Sequence, residues 1–190
     1  PAFYYVFFMK VIFFYDSVGS FNFINSFSLT YTVLLFYLIP FLIFSEKKFI
    51  FAKINIISLI FLILITLIVV ILFDYNSSTG GGFFYMAQKK FFSNNYFYGL
   101  IFLISFIYVN RFLEIKKIDN LILIIILLFF ELDNYFYMET YDPFFLICFF
   151  LLFEVKILMS FFNKNMVKKT SILFSYLSLF YLAKVMYIYL

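Results

Sequence analysis

Apolar runs recur along the chain, separated by short connectors that are charged or rich in Asn and Ser. Most runs approach the roughly 20 residues that an α-helix needs to cross a bilayer. A transmembrane β-strand would alternate apolar and polar positions, and a run such as Leu121 to Phe130 does not. The pattern predicts an all-α, polytopic transmembrane bundle of about six spans. The predicted spans are about Phe27 to Phe44, Ile54 to Phe73, Tyr96 to Val109, Asn120 to Met138, Phe144 to Phe162 and Thr170 to Leu190.

The first 26 residues form a separate N-terminal segment in this interpretation, ahead of a six-span membrane domain at residues 27–190. The apolar stretch Phe3 to Tyr15 is shorter than a span and carries Lys10. We therefore expect an interfacial or partly inserted helix there. The segment also lacks the small-residue cleavage site of a signal peptide.

The composition agrees with a membrane protein, since 66% of the 190 residues are hydrophobic, 13% are charged and the mean hydropathy is +1.07. Soluble globular domains are far less apolar. Phe occurs 35 times and Tyr 17 times, whereas Arg occurs once. The abundant residue types have AT-rich codons, which favours a gene in an AT-biased organelle genome, most often mitochondrial. An AT-rich bacterium is the alternative.

The basic residues of the connectors alternate from one loop to the next, as the positive-inside rule requires of successive spans. The loops after predicted spans four and two contain few basic residues or none, and Asp133, Glu139 and Asp142 make the former acidic. This alternation predicts both termini outside and the basic loops in the matrix of a mitochondrial inner membrane. The basic loops, after spans one, three and five, carry Lys47, Lys48, Lys53, Arg111, Lys116, Lys117, Lys164, Lys168 and Lys169.

Missing residue types exclude several kinds of chemistry. The chain has no His and one Cys, so it supplies neither a His ligand for haem or copper nor the cysteines of an iron–sulfur cluster. Cys148 lies in an apolar run and is interpreted as an inert buried thiol. The glycines at 80–82 are interpreted as a flexible loop, because no strand precedes them as in a phosphate-binding loop. We expect no bound cofactor and no nucleic-acid partner.

Charged residues inside apolar runs are the candidate functional sites. Glu154 lies near the middle of Phe144 to Phe162, where a carboxylate costs roughly 2.5–3.5 kcal/mol on insertion-based scales. Lys156 points about 200° away from it on a helix of about 3.6 residues per turn, so the two do not pair directly. Lys184 lies in the last apolar run and Glu131 in the second half of span four. These four residues are the proton-translocation candidates, since buried acids and bases can exchange protons.

The order of these features resembles the antiporter-like proton-pumping subunits of respiratory complex I, in particular chain 2 of NADH:ubiquinone oxidoreductase. Thr140 to Phe162 is similar to that family's fifth span, in which an aromatic and aliphatic helix begins near an Asp and contains a Glu. Gly80 to Phe92, Leu100 to Tyr108 and Leu121 to Phe130 are similar to its third and fourth spans and the loop before them. The resemblance covers about residues 27 to 190.

The resemblance implies that Glu154 modulates the pKa of lysines on later helices and that Lys184 matches a lysine of span six. It also implies a non-redox subunit that contributes to proton translocation coupled to NADH:ubiquinone electron transfer and is not an enzyme alone. Three departures stand out: Asp142 and Glu154 are about one helical turn further apart than expected, the usual Pro-Glu of the first span is absent, and the broken helices with the central lysines are missing. We therefore expect the first half of a split, mitochondrially encoded subunit, completed by another polypeptide.

A second interpretation is a lineage-specific structural membrane subunit of another respiratory complex, such as cytochrome oxidase, or of ATP synthase. Glu154 and Lys156 would then form static ion pairs with neighbouring chains, Glu131 would mark the end of a span, and the amine of Lys184 would reach toward the membrane surface. Both interpretations imply the same kinds of partner, namely other membrane subunits of a large respiratory complex and lipids. Arg111 is interpreted as an anchor on the matrix side.

Overall fold

The computed structural model describes residues 22–44, 56–76, 81–92, 94–115, 117–130, 152 and 166–189. This part of the chain contains six α-helices and no β-strand, which confirms the predicted all-α class for the residues described. The helices are α1 Phe23–Phe44, α2 Ile56–Leu72, α3 Gly82–Phe91, α4 Tyr96–Phe112, α5 Ile118–Phe130 and α6 Met166–Tyr189.

Five of these helices coincide with predicted spans, with shifted ends. α1 begins at Phe23, earlier than the predicted Phe27, because the side-chain oxygen of Asn22 accepts hydrogen bonds from the backbone N–H groups of Ile24 at 3.0 Å and Asn25 at 3.3 Å. Predicted span five lies outside the described residues except for Leu152, and so do residues 1–21 of the N-terminal segment.

The interpretation of the glycines at 80–82 as a flexible loop is wrong for Gly81 and Gly82, while Gly80 lies outside the described residues. Gly82 is the first residue of α3, and Gly81 precedes it with a φ of 92°, in the left-handed region that glycine adopts without strain. A Cβ on Gly81 would overlap the Tyr85 ring and lie 2.7 Å from Cε1 of Tyr75. Gly81 therefore lets the chain turn into α3 between two aromatic rings.

Length and hydropathy make one helix in the described part, over Phe23–Leu42, long and apolar enough to cross a membrane. Three further apolar helices, Ile56–Leu72, Tyr96–Phe112 and Ile118–Phe129, are shorter, at 10–17 residues. The all-α class is thus established for the described residues, and the count of six membrane spans stays a prediction.

Helix α1 lies at the centre of the bundle and contacts each of the other five described helices. Every residue from Ser28 to Leu38 is buried. The end of α2 lies beside the start of α1, where the Asp74 N–H donates to Asn25 Oδ1 at 3.1 Å. The end of α5 lies at the same place, where Ser26 Oγ donates to the Leu128 carbonyl at 3.0 Å. Hence α2 and α5 run antiparallel to α1.

The turn between α4 and α5 makes these two helices antiparallel neighbours. Glu114, with a φ of 47°, ends α4 in the left-handed conformation, and the Ile115 N–H donates back to the Asn110 carbonyl at 3.3 Å. This is the pattern of a Schellman motif, which satisfies carbonyls left open at a helix end. Asn120 Nδ2 donates to the Leu113 carbonyl at 2.7 Å and ties α5 to the same turn.

Pro40 lies inside α1, where its missing N–H leaves the carbonyl four residues earlier without its usual helical partner. That carbonyl belongs to Phe36, which is 3% exposed. The hydroxyl of Tyr176 on α6 donates to the Phe36 carbonyl at 3.1 Å. A side chain from a second helix thus replaces the bond that Pro40 removes, one of the ways in which proline is tolerated in apolar helices.

Helices α2 and α4 are in close contact at Gly99. A Cβ at this position would overlap Cγ2 of Val70, while Cβ of Val70 would be 3.7 Å away. Gly99 is buried, and nearby Thr66 directs its hydroxyl to the Leu62 carbonyl of its own helix. The absence of a side chain at residue 99 therefore sets the spacing of α2 and α4.

Candidate functional site

The four residues proposed from the sequence for proton translocation are not brought together by the described structure. Glu131, Glu154 and Lys156 lie outside the described residues. The backbone of Lys184 belongs to α6, and its side chain lies outside the described part. Their proposed roles stay predictions, and so does the assignment of Cys148, which also lies outside.

A row of buried hydroxyl groups joins α1 to α4. The Tyr98 hydroxyl lies 3.3 Å from Thr32 Oγ1 and donates to Ser28 Oγ at 3.5 Å. Tyr98 and Ser28 are 0% exposed and Thr32 is 1% exposed, so the row is shielded from the exterior. Ser28 and Thr32 come into line because residues four apart share a helix face.

Both α1 hydroxyls in this row also bond to their own helix. Ser28 Oγ donates to the Asn25 carbonyl at 3.1 Å, and Thr32 Oγ1 donates to the Leu29 carbonyl at 3.0 Å. A hydroxyl carries one proton and two lone pairs, so each of these groups still accepts a bond while it donates one. Because the Ser28 and Thr32 protons are given to carbonyls, the single Tyr98 proton is shared between Ser28 Oγ and Thr32 Oγ1, and the row is a neutral tie between the two helices.

A second tie joins α1 to the far end of α4. The Tyr31 hydroxyl donates to Asn110 Oδ1 at 2.9 Å. The Tyr31 ring packs among Phe27, Phe102 and Phe106 with ring centroids 5.0–6.2 Å apart. Such aromatic pairs add stability beyond the area they bury. The phenol therefore supplies an apolar contact along its ring and a polar contact at its tip.

Carboxamide side chains hold together the end of the bundle at which α1 begins. Asn95, before α4, donates from Nδ2 to the Phe73 carbonyl at 3.0 Å and the Val70 carbonyl at 3.5 Å. These carbonyls close α2, whose last turn lacks internal donors. Gln88 of α3 donates from Nε2 to the Asn94 carbonyl and to Asn95 Oδ1, both at 3.3 Å. One Asn–Gln pair thus links three helix ends.

Two buried polar atoms have no hydrogen-bond partner among the described residues, Thr30 Oγ1 and Gln88 Oε1. Thr30 is 0% exposed and Gln88 is 7% exposed. Burying such an atom without a hydrogen bond costs free energy, so at each of these two positions a further hydrogen-bonding group would be stabilising. Thr30 belongs to the central helix α1, on the same helix face as Ser26 and Leu34.

Four aromatic rings close the same end of the bundle. Phe73 stacks on Tyr98 with centroids 4.3 Å apart and meets Tyr85 edge to face at 6.0 Å. Tyr75 contacts Tyr85 at 4.8 Å, and the Tyr85 hydroxyl donates to the Tyr75 carbonyl at 3.0 Å. This cluster covers the outer end of the hydroxyl row, because Tyr98 belongs to both.

None of the charged side chains that the structure describes is buried. Asp74, Lys89 and Lys90 lie exposed near the end at which α1 begins, and Glu114 and Lys117 pair at 3.6 Å in the α4–α5 turn. Arg111 occupies the last turn of α4 and is half-buried. The described residues also contain no group of three potential metal-ligating side chains. The described core offers neutral hydroxyl and carboxamide groups for chemistry.

The pattern of apolar runs does not identify the hydroxyl row, although the sequence of α1 carries a signal for it. Polar residues recur at alternate positions of an otherwise apolar run, at Ser26, Ser28, Thr30 and Thr32. In a hydrophobic helix such residues need partners on neighbouring helices or on their own backbone. That rule predicts buried polar contacts on α1, while the identity of the partner, Tyr98, depends on tertiary packing.

The chain matches no protein-family model, no curated protein and no solved structure.

Proposed function

We propose that this chain is a multi-pass, non-redox membrane subunit of a respiratory complex in the mitochondrial inner membrane. The assembly indicated by the sequence resemblance is complex I, in which the chain would contribute to proton translocation coupled to NADH:ubiquinone electron transfer. Other membrane subunits and lipids would surround it.

The observation that carries the membrane assignment is the distribution of apolar and polar residues between exterior and interior. All residues from Ile56 to Phe61 on α2 are exposed, and Ile57 is 73% exposed. Inside the bundle, by contrast, Ser28, Thr30 and Ser105 are fully buried. Water-soluble proteins seldom expose so large an apolar surface, whereas lipid tails solvate it.

The length of α1 and the positions of the charged residues support the same assignment. α1 has 22 residues, or about 33 Å at about 1.5 Å per residue, against a hydrocarbon core of roughly 30 Å. The charged side chains described for α3, α4 and α5 lie near helix ends, in the first or last turn. Charges at helix ends reach the polar surface of the membrane, where a charged group costs little free energy.

The proton-translocation role rests on Glu154, Lys184, Lys156 and Glu131, because the described core contains neutral groups. In this proposal the hydroxyl row takes no part in proton transfer. The second candidate function, a structural subunit of cytochrome oxidase, ATP synthase or another respiratory complex, is favoured by a specific observation. Ser28, Thr32 and Tyr98 have complete local partners, as expected of groups that only hold helices together.

The assembly that contains this chain tests the proposal. Mitochondrial membranes are solubilised in mild detergent and separated on a native gel, and the chain is located by mass spectrometry of excised bands. We expect it to co-migrate with NADH dehydrogenase activity. Recovery with cytochrome oxidase or ATP synthase instead would overturn the complex I assignment and favour the structural alternative.

Glu154→Gln tests the proton role within that assembly. The substitution keeps the shape and removes the titrating group, so we expect proton translocation per electron pair to fall while the amount of assembled complex stays near wild type. Proton uptake by reconstituted vesicles during NADH oxidation measures the effect. Unchanged pumping, or loss of the assembled complex, would assign Glu154 a dispensable or a structural role.

A further inference from the structure

Helix α3 presents two adjacent lysines at its exposed end. Lys89 and Lys90 occupy its last turn, and both are exposed. The opposite face, formed by Gly82, Tyr85 and Gln88, is buried against the bundle. α3 is therefore held by its inner face, and its final turn carries the two exposed lysines.

The position of this lysine pair along the bundle follows from its hydrogen bonds. Lys89 Nζ donates to Asn76 Oδ1 at 3.1 Å, just beyond the end of α2. Gln88, the preceding residue, reaches Asn94 and Asn95 at the start of α4. These polar groups lie at the end of the bundle, whereas Phe83 at the other end of α3 packs on Phe36 in the middle of α1, with ring centroids 5.6 Å apart. The lysine pair therefore lies at the boundary between the apolar side of the bundle and the polar groups at its end.

Exposed aromatic rings follow the lysine pair along the chain. Phe91 is 73% exposed, Phe92 43% and Tyr96 71%. Phe92 stacks on Phe97 with ring centroids 4.1 Å apart and an interplanar angle of 11°, which fixes its position. A surface that combines ammonium groups with exposed rings suits a molecule with an anionic head and an apolar body.

We propose that Lys89 and Lys90, together with Phe91, Phe92 and Tyr96, bind the headgroup region of an anionic phospholipid. This inference rests on the membrane location in the proposed function. The lysines contact the phosphate and the rings contact the glycerol and upper acyl chains. A free phosphate would gain nothing from the rings, so the lipid is the occupant that uses the whole surface.

The chain contains a matched control in Lys168 and Lys169, a second adjacent lysine pair on a helix. Lys168 is exposed and Lys169 half-buried, and their sequence neighbours Val167 and Thr170 carry no aromatic ring. Neutralising either pair changes the net charge by the same amount. A difference between the two variants therefore reports the local surface and not the overall charge.

The test uses the full chain in nanodiscs of neutral phosphatidylcholine with increasing phosphatidylglycerol, and native mass spectrometry counts the anionic lipids retained. We expect K89Q/K90Q to weaken the apparent affinity for phosphatidylglycerol about tenfold or more, given the usual attraction of a lysine to an anionic leaflet. K89R/K90R keeps both charges and should retain most of the binding. K168Q/K169Q should weaken the binding at least about threefold less than K89Q/K90Q, because that pair loses the general attraction to the anionic leaflet but has no adjacent ring in the sequence.

Several results would overturn the inference. Equal weakening in K168Q/K169Q would show a nonspecific effect of net charge, and wild-type binding by K89Q/K90Q would show that the pair is not involved. Displacement of the lipid by inorganic phosphate, beyond the effect of sodium chloride at equal ionic strength, would indicate a site for the free anion. Alkaline carbonate extraction separates the two proposals: a chain that resists extraction yet shows no lysine dependence refutes the lipid site alone, and a chain that is released refutes the membrane location as well.

Discussion

Gly99→Ala is expected to destabilise the fold by about 1–3 kcal/mol, because the added methyl group would overlap Cγ2 of Val70 in the contact between α2 and α4. Val70→Ala removes that atom and leaves only Cβ, at 3.7 Å from the new methyl group. The double variant G99A/V70A should therefore be more stable than the sum of the single changes predicts. The measurement is a double-mutant cycle from SDS unfolding of the full chain in mild detergent, followed by far-UV circular dichroism.

Leu100→Ala is the control for this cycle, since Leu100 is adjacent on α4 and 56% exposed. Its effect should stay within about 0.5 kcal/mol, as for most surface substitutions. If G99A is no more destabilising than L100A, or if V70A fails to relieve it, the close approach of α2 and α4 at Gly99 is wrong.

Tyr176→Phe is expected to destabilise the chain by about 1–2 kcal/mol, since it leaves the buried Phe36 carbonyl without a donor. The same change in a Pro40→Ala background should have much less effect, because residue 40 then supplies the N–H that an α-helix uses for this carbonyl. The prediction is a coupling between positions 40 and 176, which are on different helices. The same unfolding assay measures it as an interaction free energy.

Tyr96→Phe is the matched control, a loss of one hydroxyl from a tyrosine that is 71% exposed. It should leave stability unchanged to within about 0.5 kcal/mol in both backgrounds. Equal effects of Y176F with Pro and with Ala at position 40 would mean that the Tyr176 hydroxyl acts independently of the carbonyl that Pro40 leaves open, because the ring and its contact with Phe36 are kept in both variants.

The apolar runs predicted five of the described helices because a continuous hydrophobic stretch has few other stable forms. The predicted end of α1 at Phe44 is confirmed, and its start was less accurate, since the cap by Asn22 depends on a polar residue outside the run. α3 was missed because its first residue, Gly82, directly follows Gly80 and Gly81, and a run of glycines usually favours a turn. What makes Gly82–Phe91 helical is a buried face whose partners lie on α1 and after α2, and those contacts are tertiary.

Pro40 shows how much of a contact between helices can be predicted from the sequence. Pro40 in an apolar helix implies that the Phe36 carbonyl needs another donor, and this much follows from covalent chemistry. The donor itself, Tyr176, is 140 residues away in sequence, so only the fold identifies it. The same holds for Tyr98 and the α1 hydroxyls. Glu154 and Lys156 are a different case. Their importance is inferred from the free-energy cost of a charge in an apolar run, and both residues lie outside the described part of the chain.

The central position of α1 has a consequence for the order of events during synthesis. Ser26 finds its partner Leu128 after 102 further residues have been made, and Thr32 finds Tyr98 after 66. At common elongation rates the first interval lasts on the order of 10 s. Ser28 and Thr32 each bond a carbonyl of their own helix, and such bonds are available as soon as α1 exists. The helix at the centre of the finished bundle is thus able to keep these two hydroxyls satisfied while its neighbours are still being translated.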